Sequence, residues 1–582
     1  MISKSLKKIH SLKKYDYIKK DSILNKIYNK NNYLIKLNEL NNDFYKHFFD
    51  ENFDVNREES KIILDKLVYL YKNYKFFVFN DDIIIFLVLS ACGSLEEFKI
   101  FYQILFKKNK QEKKIKLLKI LEILEYAYII SIMYDNFDVF NFLINKEKRL
   151  TKNINKKVFM PIFLLAAKYG SVKIVNYFIN EGIDINTKDD NQKKTALMWA
   201  VIFNRIETVK LLIEKGAKID EKDINRGEEN NTALMLAIHY NRTEVVKLLL
   251  DKITENSKNI KDEKELKEYN DKQLNVKNRE GVTPLILSAY YGNIVIVKML
   301  LDKITENAKY IKDKEELKKY NDKYLNAKDK YNNTPLIWAS KNNNVGSLKL
   351  ILDKIIENRK YIKDEEELEK YNNEYLNAKN NDGKTALIYA AENGSIKIIE
   401  LLIDSGADIN KKDSKYGETA IMWAMRNKKF GKEVVELLIK NGANLYERSS
   451  DGGTVLMYAV LYEQIEIIKL LINIGVDLNE KDYYGSTALM KAVHNNRYID
   501  IVELLIKKGA DVNQKDNNGM TALMWAAKYN SVEIVELLLK NGAKVDETDN
   551  DGKTAFDYAK YETNQILSKA MKKQKQQEKN KS

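Results

Sequence analysis

A short motif recurs at regular intervals through most of this chain. Threonine is followed in most copies by alanine or proline and then by leucine, and the spacings are 37, 51, 51, 51, 34, 35, 33, 34 and 33 residues. The copies begin at Thr195, Thr232, Thr283, Thr334, Thr385, Thr419, Thr454, Thr487, Thr521 and Thr554. A fixed period in this range is typical of repeat proteins, in which each copy is one small unit stacked on its neighbours. A chain of 582 residues is also too long for one compact core, which favours such an array.

The unit at residues 516–549 shows what each copy folds into. Gly519 follows a turn-forming stretch and supplies the positive φ that the turn needs, and Thr521 is placed to cap the helix that follows. Asn541 and Gly542 end a second helix. The first helix carries a face of small residues, formed by Leu523, Ala526 and Ala527. The second helix carries an apolar stripe, formed by Val532, Val535, Leu537 and Leu538. Because such a pair cannot bury both of its faces alone, the sequence predicts a stacked solenoid.

The unit resembles the ankyrin repeat. Gly-Ala-Asp-Ile-Asn at 406–410 and Gly-Ala-Asp-Val-Asn at 509–513 match the last element of that repeat closely, and the resemblance covers at least residues 159–568. The histidine of the family pattern is replaced by an apolar residue at Met198, Ile286, Met422, Met490 and Met524. These replacements exchange a polar contact between neighbouring repeats for apolar packing.

The resemblance implies an all-α ankyrin-repeat solenoid of helix pairs with short β-turn fingers. We expect a helical N-terminal cap at 1–80, degenerate ankyrin-like repeats at 81–158 and the main array at 159–568. One unit of that array precedes Thr195 and has Pro161 at the threonine position. Residues 569–582 are rich in lysine and glutamine and are predicted to be a basic disordered tail.

Three consecutive units, within residues 232–384, are longer than the others by about 18 residues, as their 51-residue spacing shows. The excess follows the second helix and is nearly identical in each copy. Asp262, Asp313 and Asp364 are placed to cap a short extra helix. Register predicts that Tyr269, Tyr320 and Tyr371 stack as a ladder. The inserts are either a duplicated, tolerated insertion or a second contact ridge.

No pattern that carries catalytic or metal chemistry stands out. The four histidines are scattered, and Cys92 is the single cysteine, so neither a zinc cluster nor an intrachain disulfide is expected. The two Gly-Lys-Thr sequences at 383–385 and 552–554 lack the earlier glycine of a phosphate-binding loop, because Ala378 and Glu547 stand there. We therefore expect a non-enzymatic protein with no cofactor, no metal and no small-molecule substrate.

Large aromatic residues occupy two recurring places in the repeat. The four tryptophans all lie four residues after the repeat threonine, where we expect packing between repeats. Seven and eight residues after it, the family resemblance implies exposure to the concave groove, and aromatic residues at exposed, variable positions are typical of protein-binding surfaces. The predicted partner-binding residues are Tyr169, Phe203, His239, Tyr240, Tyr290, Tyr291, Tyr462 and Tyr529, with Tyr331, Tyr416, Tyr483 and Tyr484 at the turn tips. The alternative is that tyrosine is simply abundant here.

Charge and targeting signals leave two alternatives open. Net charge is +14, and residues 1–20 and 569–582 contribute +6 and +5, together 11 of the 14. Because the positive charge lies at the ends and not on a folded face, its placement disfavours binding to nucleic acid or to an anionic surface. A role through the lysine-rich ends remains an alternative.

We see no signal peptide or apolar span, so a cytoplasmic location is expected. An exported effector or toxin-like protein that uses the repeats for recognition is the other alternative.

Overall fold

The computed structural model describes residues 90, 95–96, 98–99, 102, 127–150, 156–224, 230–309, 311, 313–360, 362, 364–494 and 498–579. The chain divides into two compact units, Met1–Gly227 and Glu228–Ser582. The predicted cap at 1–80 lies outside the described residues, as does most of the predicted degenerate segment before residue 127.

The first unit is built from helices packed in pairs. From residue 137 onward, its described helices are α1 (Phe137–Leu150), α2 (Lys156–Tyr169), α3 (Val172–Asn180), α4 (Ala196–Ile202) and α5 (Ile206–Glu214). The first helices of consecutive repeats, α2 and α4, pack against each other, and so do the second helices α3 and α5. This is the stacking that the repeat period predicts.

The second unit continues the same alternation of short first helices and longer second helices. Its helices are α6 (Ala233–His239), α7 (Thr243–Ser257), α8 (Glu263–Leu274), α9 (Pro284–Tyr291), α10 (Ile294–Ala308), α11 (Lys314–Leu325), α12 (Pro335–Lys341), α13 (Val345–Arg359), α14 (Glu365–Tyr375), α15 (Ala386–Asn393), α16 (Ile396–Asp404), α17 (Ala420–Ala424), α18 (Gly431–Lys440), α19 (Val455–Leu461), α20 (Ile465–Ile474), α21 (Ala488–Val493), α22 (Ile499–Lys507), α23 (Ala522–Lys528), α24 (Val532–Lys540), α25 (Ala555–Tyr558) and α26 (Tyr561–Lys579). In the described residues, β structure is limited to isolated bridges beside the turns, such as Lys515 with Thr521. The predicted all-α repeat fold is confirmed.

The repeat threonine starts the first helix, as predicted. The Thr521 hydroxyl accepts a hydrogen bond from the Met524 backbone N–H at 3.3 Å, and Thr195 and Thr283 do the same for their own helices. A cap of this kind stabilises a helix by about 1 kcal/mol, because it satisfies a backbone donor that has no partner within the helix. Gly519 in the preceding turn has φ +78°, the left-handed conformation that favours glycine.

The core lies between the two helix layers of each repeat. Ala526 and Ala527 on the first helix and Leu538 on the second are fully buried. Alanine has a small side chain, so neighbouring first helices approach closely. The apolar residues that replace the family's histidine, such as Met198 and Met524, are also buried, which confirms their predicted packing role.

The three inserts form the helices α8, α11 and α14, and each is capped as predicted. Asp262, Asp313 and Asp364 accept hydrogen bonds of 2.7 to 2.8 Å from the backbone N–H three residues on. Helix α8 packs on α7 and α10, and α11 packs on α10 and α13. Each of these two insert helices therefore lies across the second helices of two successive repeats.

Two of the three insert tyrosines are buried, which does not fit the alternative in which the inserts form a second contact ridge. Tyr320 and Tyr371 are each 1% exposed, and their rings pair with Tyr324 and Tyr375 four residues on in the same helix, with centroids 5.1 and 4.2 Å apart. An aromatic residue on the inner face of an amphipathic helix gains more by burial than by exposure, so these rings belong to the core.

The C-terminal region also differs from its prediction. Residues 569–582 are predicted to be disordered, whereas α26 continues through Lys579. This helix packs on α24 and α25, and Leu567 in it is fully buried. A lysine- and glutamine-rich sequence extends a helix once an apolar residue anchors its start, because both residue types have good helix propensity.

Candidate partner-binding surface

The tryptophan of each repeat is held by the turn that precedes it. The indole Nε1–H of Trp338 donates to Asp329 at 2.9 Å, and that of Trp525 donates to Asp516 at the same distance. Trp199 and Trp423 make the equivalent bond to their own turn aspartate. The bond fixes the plane of the ring. Trp199, Trp338 and Trp525 are half-buried, and Trp423 is 6% exposed.

In the first unit, two predicted residues join this tryptophan. Trp199 stacks on Phe203 with ring centroids 6.0 Å apart. The Lys168 ammonium lies 5.5 Å from the Trp199 ring, 5.0 Å from Phe203 and 5.8 Å from Tyr169. Phe203 is exposed and Tyr169 is half-buried. A cation over aromatic rings is attracted by their negative faces, which orders this small cluster.

In the second unit, aromatic rings from successive repeats touch one another. The Tyr291 hydroxyl lies 2.9 Å from His239 Nδ1, and the two rings are 5.3 Å apart. Tyr290 contacts Tyr291 at 4.9 Å and Trp338 of the next repeat at 5.0 Å. Tyr240 packs on His239 at 4.7 Å. The predicted residues of two neighbouring repeats therefore form one continuous surface.

Lysine and arginine side chains extend that surface through the next repeats. The Lys341 ammonium lies 4.8 Å from the Trp338 ring and 5.4 Å from Tyr389. The Arg426 guanidinium lies 3.7 Å from Trp423 and 5.0 Å from Tyr462. Lys384 bridges the two pairs, because its ammonium lies 5.0 Å from Tyr389 and 3.3 Å from Trp423.

A second stretch lies toward the end of the array. Trp525 stacks on Tyr529 at 5.9 Å, and His494 contacts both rings, at 4.6 and 5.3 Å. The Lys528 ammonium lies 4.7 Å from Trp525. We call the two stretches of the second unit the aromatic strip, defined by His239, Tyr240, Tyr290, Tyr291, Trp338, Tyr389, Trp423 and Tyr462 and by His494, Trp525 and Tyr529.

The predicted turn tips are exposed and are tied together through the backbone. Tyr331 and Tyr416 are 52% and 43% exposed, and Tyr483 and Tyr484 are each 65% exposed. The Tyr331 carbonyl accepts from the next turn at 2.9 Å, the Tyr416 carbonyl at 2.7 Å and the Tyr484 carbonyl at 3.0 Å. Each tip is therefore fixed on its neighbour while its side chain stays accessible.

One cavity joins a turn tip to the aromatic strip. It has a volume of about 280 Å³, and its walls include Tyr290, Tyr291, Tyr331, His239 and Trp338. Four of these five are predicted partner-binding residues. A cavity of this size with aromatic walls can receive one large side chain.

Two of the cations that contact the strip, Lys384 and Arg426, are paired with carboxylates. Burial lowers the pKa of the Arg426 guanidinium, but the hydrogen bond and the charge of Glu418 outweigh it, so the net shift is upward. The Arg426–Glu418 ion pair measures 2.8 Å, and Lys384 pairs with Glu392 at 2.6 Å. Burial also raises the pKa of the Tyr389 and Tyr462 hydroxyls, which keeps both neutral.

Of the twelve predicted binding residues, nine are exposed and three, Tyr169, His239 and Tyr462, are half-buried. The predicted packing of Trp338, Trp423 and Trp525 between repeats is confirmed by their contacts with Tyr290, Lys384 and His494 of the preceding repeats. That the same rings also belong to the strip was not predicted from the sequence. The available signal was the aspartate nine or ten residues before each tryptophan, which bonds the ring edge. The contacts of Lys384, His494 and Lys528 with these rings were also not predicted.

In the part of the chain that the structure describes, no three histidine, cysteine or acidic side chains gather where a metal ion could be held. Within the same part of the chain, no helix is both long and apolar enough to cross a membrane.

Comparison with known proteins identifies the repeats. Family models for ankyrin repeats match residues 128–223, 263–364, 360–448, 422–516 and 498–578, and a second such model matches 197–250. These matches cover well over half of the chain.

Similar proteins include an ankyrin repeat protein of Acanthamoeba polyphaga mimivirus, 25% identical over 56% of this chain and 34% of that protein. Ankyrin repeat and SAM domain-containing protein 6 of Rattus norvegicus is 37% identical over 15% of this chain and 10% of that protein. An ankyrin repeat protein of Fowlpox virus (strain NVSL) is 36% identical over 14% of this chain and 23% of that protein. The chain matches about a third or less of the length of these relatives. On the family-model matches, the chain belongs to the ankyrin-repeat family.

Proposed function

We propose that this chain is a non-enzymatic scaffold that binds a protein partner through the aromatic strip and the turn tips. Ankyrin repeats are general protein–protein interaction modules. The observation that carries the proposal is that eight aromatic residues of the strip and the turn tips remain exposed, namely Tyr240, Tyr290, Tyr291 and Tyr529 in the strip and Tyr331, Tyr416, Tyr483 and Tyr484 at the tips. Soluble proteins expose such residues in groups where another protein covers them.

The side chains of the strip are held in place before a partner binds. The tryptophans are fixed by their turn aspartates, and the tyrosines are fixed by neighbouring rings and cations. A partner therefore immobilises few side chains on binding, which lowers the entropic cost of association.

An affinity capture from lysate of the source cells tests this proposal. The intact chain is compared with a variant in which Tyr240, Tyr290, Tyr291 and Tyr529 are replaced by alanine. A control variant carries Tyr446→Ala and Tyr561→Ala, which are 70% and 92% exposed but lie outside the strip. Captured proteins are identified by mass spectrometry, and folding is checked by circular dichroism.

We expect one protein to be captured by the intact chain and the control but not by the strip variant. The same protein, once purified, should bind the strip variant at least about tenfold more weakly, because two or more aromatic anchors are lost. Equal capture by all three chains contradicts the proposed face. Capture of nucleic acid alone places the function at the lysine-rich ends instead.

A further inference from the structure

One repeat of the second unit lacks an aromatic ring that most of the others carry. Seven of the ten repeats have tryptophan or tyrosine four residues after the repeat threonine, at Trp199, Trp338, Tyr389, Trp423, Tyr458, Trp525 and Tyr558. The repeat that begins at Thr283 has Leu287 there instead. Leu287 lines the cavity of about 280 Å³ between the aromatic strip and the turn tip at Tyr331. Because leucine is smaller than either ring, space stays open at this position.

In the repeats that have the ring, a residue of the preceding turn bonds its polar edge. Where the ring is tryptophan, that residue is an aspartate. Asp329 Oδ1 accepts from backbone N–H groups of its own turn, and Oδ2 accepts from the Trp338 indole. In the repeat with Tyr389 the residue is Asn380, whose Oδ1 accepts from the turn while its Nδ2 donates to the Tyr389 hydroxyl at 2.9 Å. A turn aspartate therefore receives a donor from the ring, whereas a turn asparagine offers a donor to a hydroxyl oxygen.

The turn of the Leu287 repeat carries asparagine, and this residue also lines the cavity. Asn278 Oδ1 accepts from the backbone N–H groups of Glu280 and Val282, each at 3.0 Å, which fixes the orientation of the amide. Its Nδ2 donates one hydrogen to Asn231 Oδ1 at 3.2 Å. Among the described residues, the second hydrogen of Nδ2 meets no acceptor. The cavity therefore contains one hydrogen-bond donor that a ligand can use.

The repeat with Tyr389 shows which ligand group completes this arrangement. Residues of the two repeats correspond at a separation of two 51-residue periods: Asn231 to Asn333, Asn278 to Asn380 and Leu287 to Tyr389. Asn380 Nδ2 donates to Asn333 Oδ1 at 2.9 Å as well as to the Tyr389 hydroxyl. The first bond has its counterpart between Asn278 and Asn231, and the second lacks only the hydroxyl. A tyrosine from outside supplies that acceptor, whereas an indole N–H would meet a second donor.

The charges around the cavity favour an acidic ligand. The Lys341 ammonium lies 4.8 Å from the Trp338 ring, which lines the cavity. Lys384 of the following repeat has a carboxylate partner at 2.6 Å, but Lys341 is exposed and pairs with no carboxylate in the part of the chain that the structure describes. The two carboxylates that line the cavity are already engaged, one with Lys330 and the other with Trp338. A carboxylate on the ligand would therefore be attracted to Lys341.

We propose that this cavity binds a tyrosine side chain of the partner, presented by a segment with acidic residues beside that tyrosine. The ring takes the place that Tyr389 takes in its own repeat and packs against Tyr290 and Trp338. Its hydroxyl accepts from Asn278 Nδ2, and a neighbouring carboxylate pairs with Lys341. The inference rests on the proposed function and gives the chemistry of one anchor on the partner.

A peptide titration against the full chain tests the proposal. Fluorescein-labelled Gly-Glu-Glu-Tyr-Glu-Glu-Gly is followed by fluorescence anisotropy, beside peptides with phenylalanine or tryptophan in place of tyrosine. We expect saturable binding of the tyrosine peptide. The phenylalanine peptide should bind about three- to tenfold more weakly, because Asn278 Nδ2 loses its acceptor, and the tryptophan peptide at least about tenfold more weakly.

Equal binding of the tyrosine and tryptophan peptides overturns the proposal. So does the absence of saturation at about 1 mM, which would leave the cavity to water alone. A fourth peptide, with glutamine in place of every glutamate, should bind about threefold more weakly, because it leaves Lys341 without a carboxylate. Equal binding of this peptide overturns the acidic part of the proposal.

A protein variant locates the binding. Leu287→Tyr supplies the missing ring from the chain itself, so we expect at least about a tenfold loss of affinity for the tyrosine peptide, with no fall in the melting temperature. The matched control is Lys491→Tyr, which adds a ring at the same place in a distant repeat, beside Asp482. Its affinity should stay within about twofold of the parent. Unchanged affinity in Leu287→Tyr overturns the proposal, as does an equal loss in the control.

A second variant decides the question if Leu287→Tyr is unstable. Asn278→Asp exchanges the free donor for an acceptor, as in the repeats with tryptophan, and should raise the affinity of the tryptophan peptide relative to the tyrosine peptide at least about fivefold. An unchanged ratio overturns the proposal. Capture from lysate separates this inference from the proposed function. A protein that the strip variant loses but Leu287→Tyr keeps leaves the proposed function standing and overturns the tyrosine site.

Discussion

The two junctions between insert helices are built from nearly identical sequences but satisfy their buried polar groups differently. At the first junction, between α8 and α11, the Tyr324 hydroxyl donates to Asp271 at 2.7 Å, and the Lys323 ammonium pairs with the same carboxylate at 2.8 Å. Tyr324 is 1% exposed, so its hydroxyl depends on this carboxylate and on Tyr320, 3.3 Å away.

At the second junction, between α11 and α14, the corresponding positions are Asp322, Tyr375 and Glu374. Glutamate stands where the first junction has lysine. Among the described residues, neither Asp322 Oδ1 nor the Tyr375 hydroxyl has a hydrogen-bond partner. Burial raises the pKa of Asp322 to about 6; Lys318 opposes the rise and the charge of Glu374 adds to it.

The difference shows how one charge reversal changes a junction while the backbone repeat is kept. Stability in a stacked repeat protein is roughly a sum of terms from each repeat and each junction, so one junction can weaken without unfolding the others. The third insert carries Asn373 where the first two carry aspartate, so the sequence itself contains the neutral alternative.

We expect the largest change in the free energy of unfolding from removing the hydrogen-bonded carboxylate of Asp271 at the first junction. Asp271→Ala should lower the free energy of unfolding by about 2 kcal/mol, because it strips the buried Tyr324 hydroxyl of its charged acceptor. Urea denaturation followed by circular dichroism measures the loss, and hydrogen exchange should place it in α8 and α11. The matched control is Asp322→Ala, for which we expect no loss at neutral pH. Equal losses at both positions would remove the distinction between the junctions.

A smaller effect of opposite sign should follow from restoring the lysine. Glu374→Lys places a cation beside Asp322, as Lys323 stands beside Asp271, and should raise the free energy of unfolding by about 1 kcal/mol. The reverse change, Lys323→Glu, should lower it at the first junction. Urea midpoints of the two single variants measure both shifts. The comparison fails if the two substitutions move stability in the same direction.

Much of the fold could be predicted because its signals are local. The threonine caps, the turn glycines and the capped insert helices depend on residues within a few positions of one another, as at Thr521, Gly519 and Asp262. Exposure of nine of the twelve predicted binding residues followed from their place in the repeat. What those residues bind stays a proposal.

The remainder depends on which residues meet across repeats. The contact between Lys384 and Trp423 joins residues 39 positions apart, and Asp322 meets the charge of Glu374 only because two insert helices stack. Burial of Tyr371 depends on the same stacking. None of these contacts could be obtained from a period alone, since the period fixes the place of a residue in its unit but not its neighbour's charge.

The smallest effect we expect is a pH dependence confined to the second junction. The folded-state pKa of Asp322, about 6, lies above the ordinary value of 3.8, so folding favours its protonated form. Its contribution to stability is therefore full below pH 4 and is lost as the pH rises through about 6. Asp322→Asn, which copies the third insert, should flatten this slope and raise the free energy of unfolding at pH 7 by up to about 1 kcal/mol, allowing for partial solvent screening. Urea midpoints at pH 4, 5, 6 and 7 measure the slope, and Asp271→Asn is the control, which should lower stability at pH 7 instead. If the parent and Asp322→Asn keep the same slope, the carboxylate at the second junction is as well satisfied as that at the first.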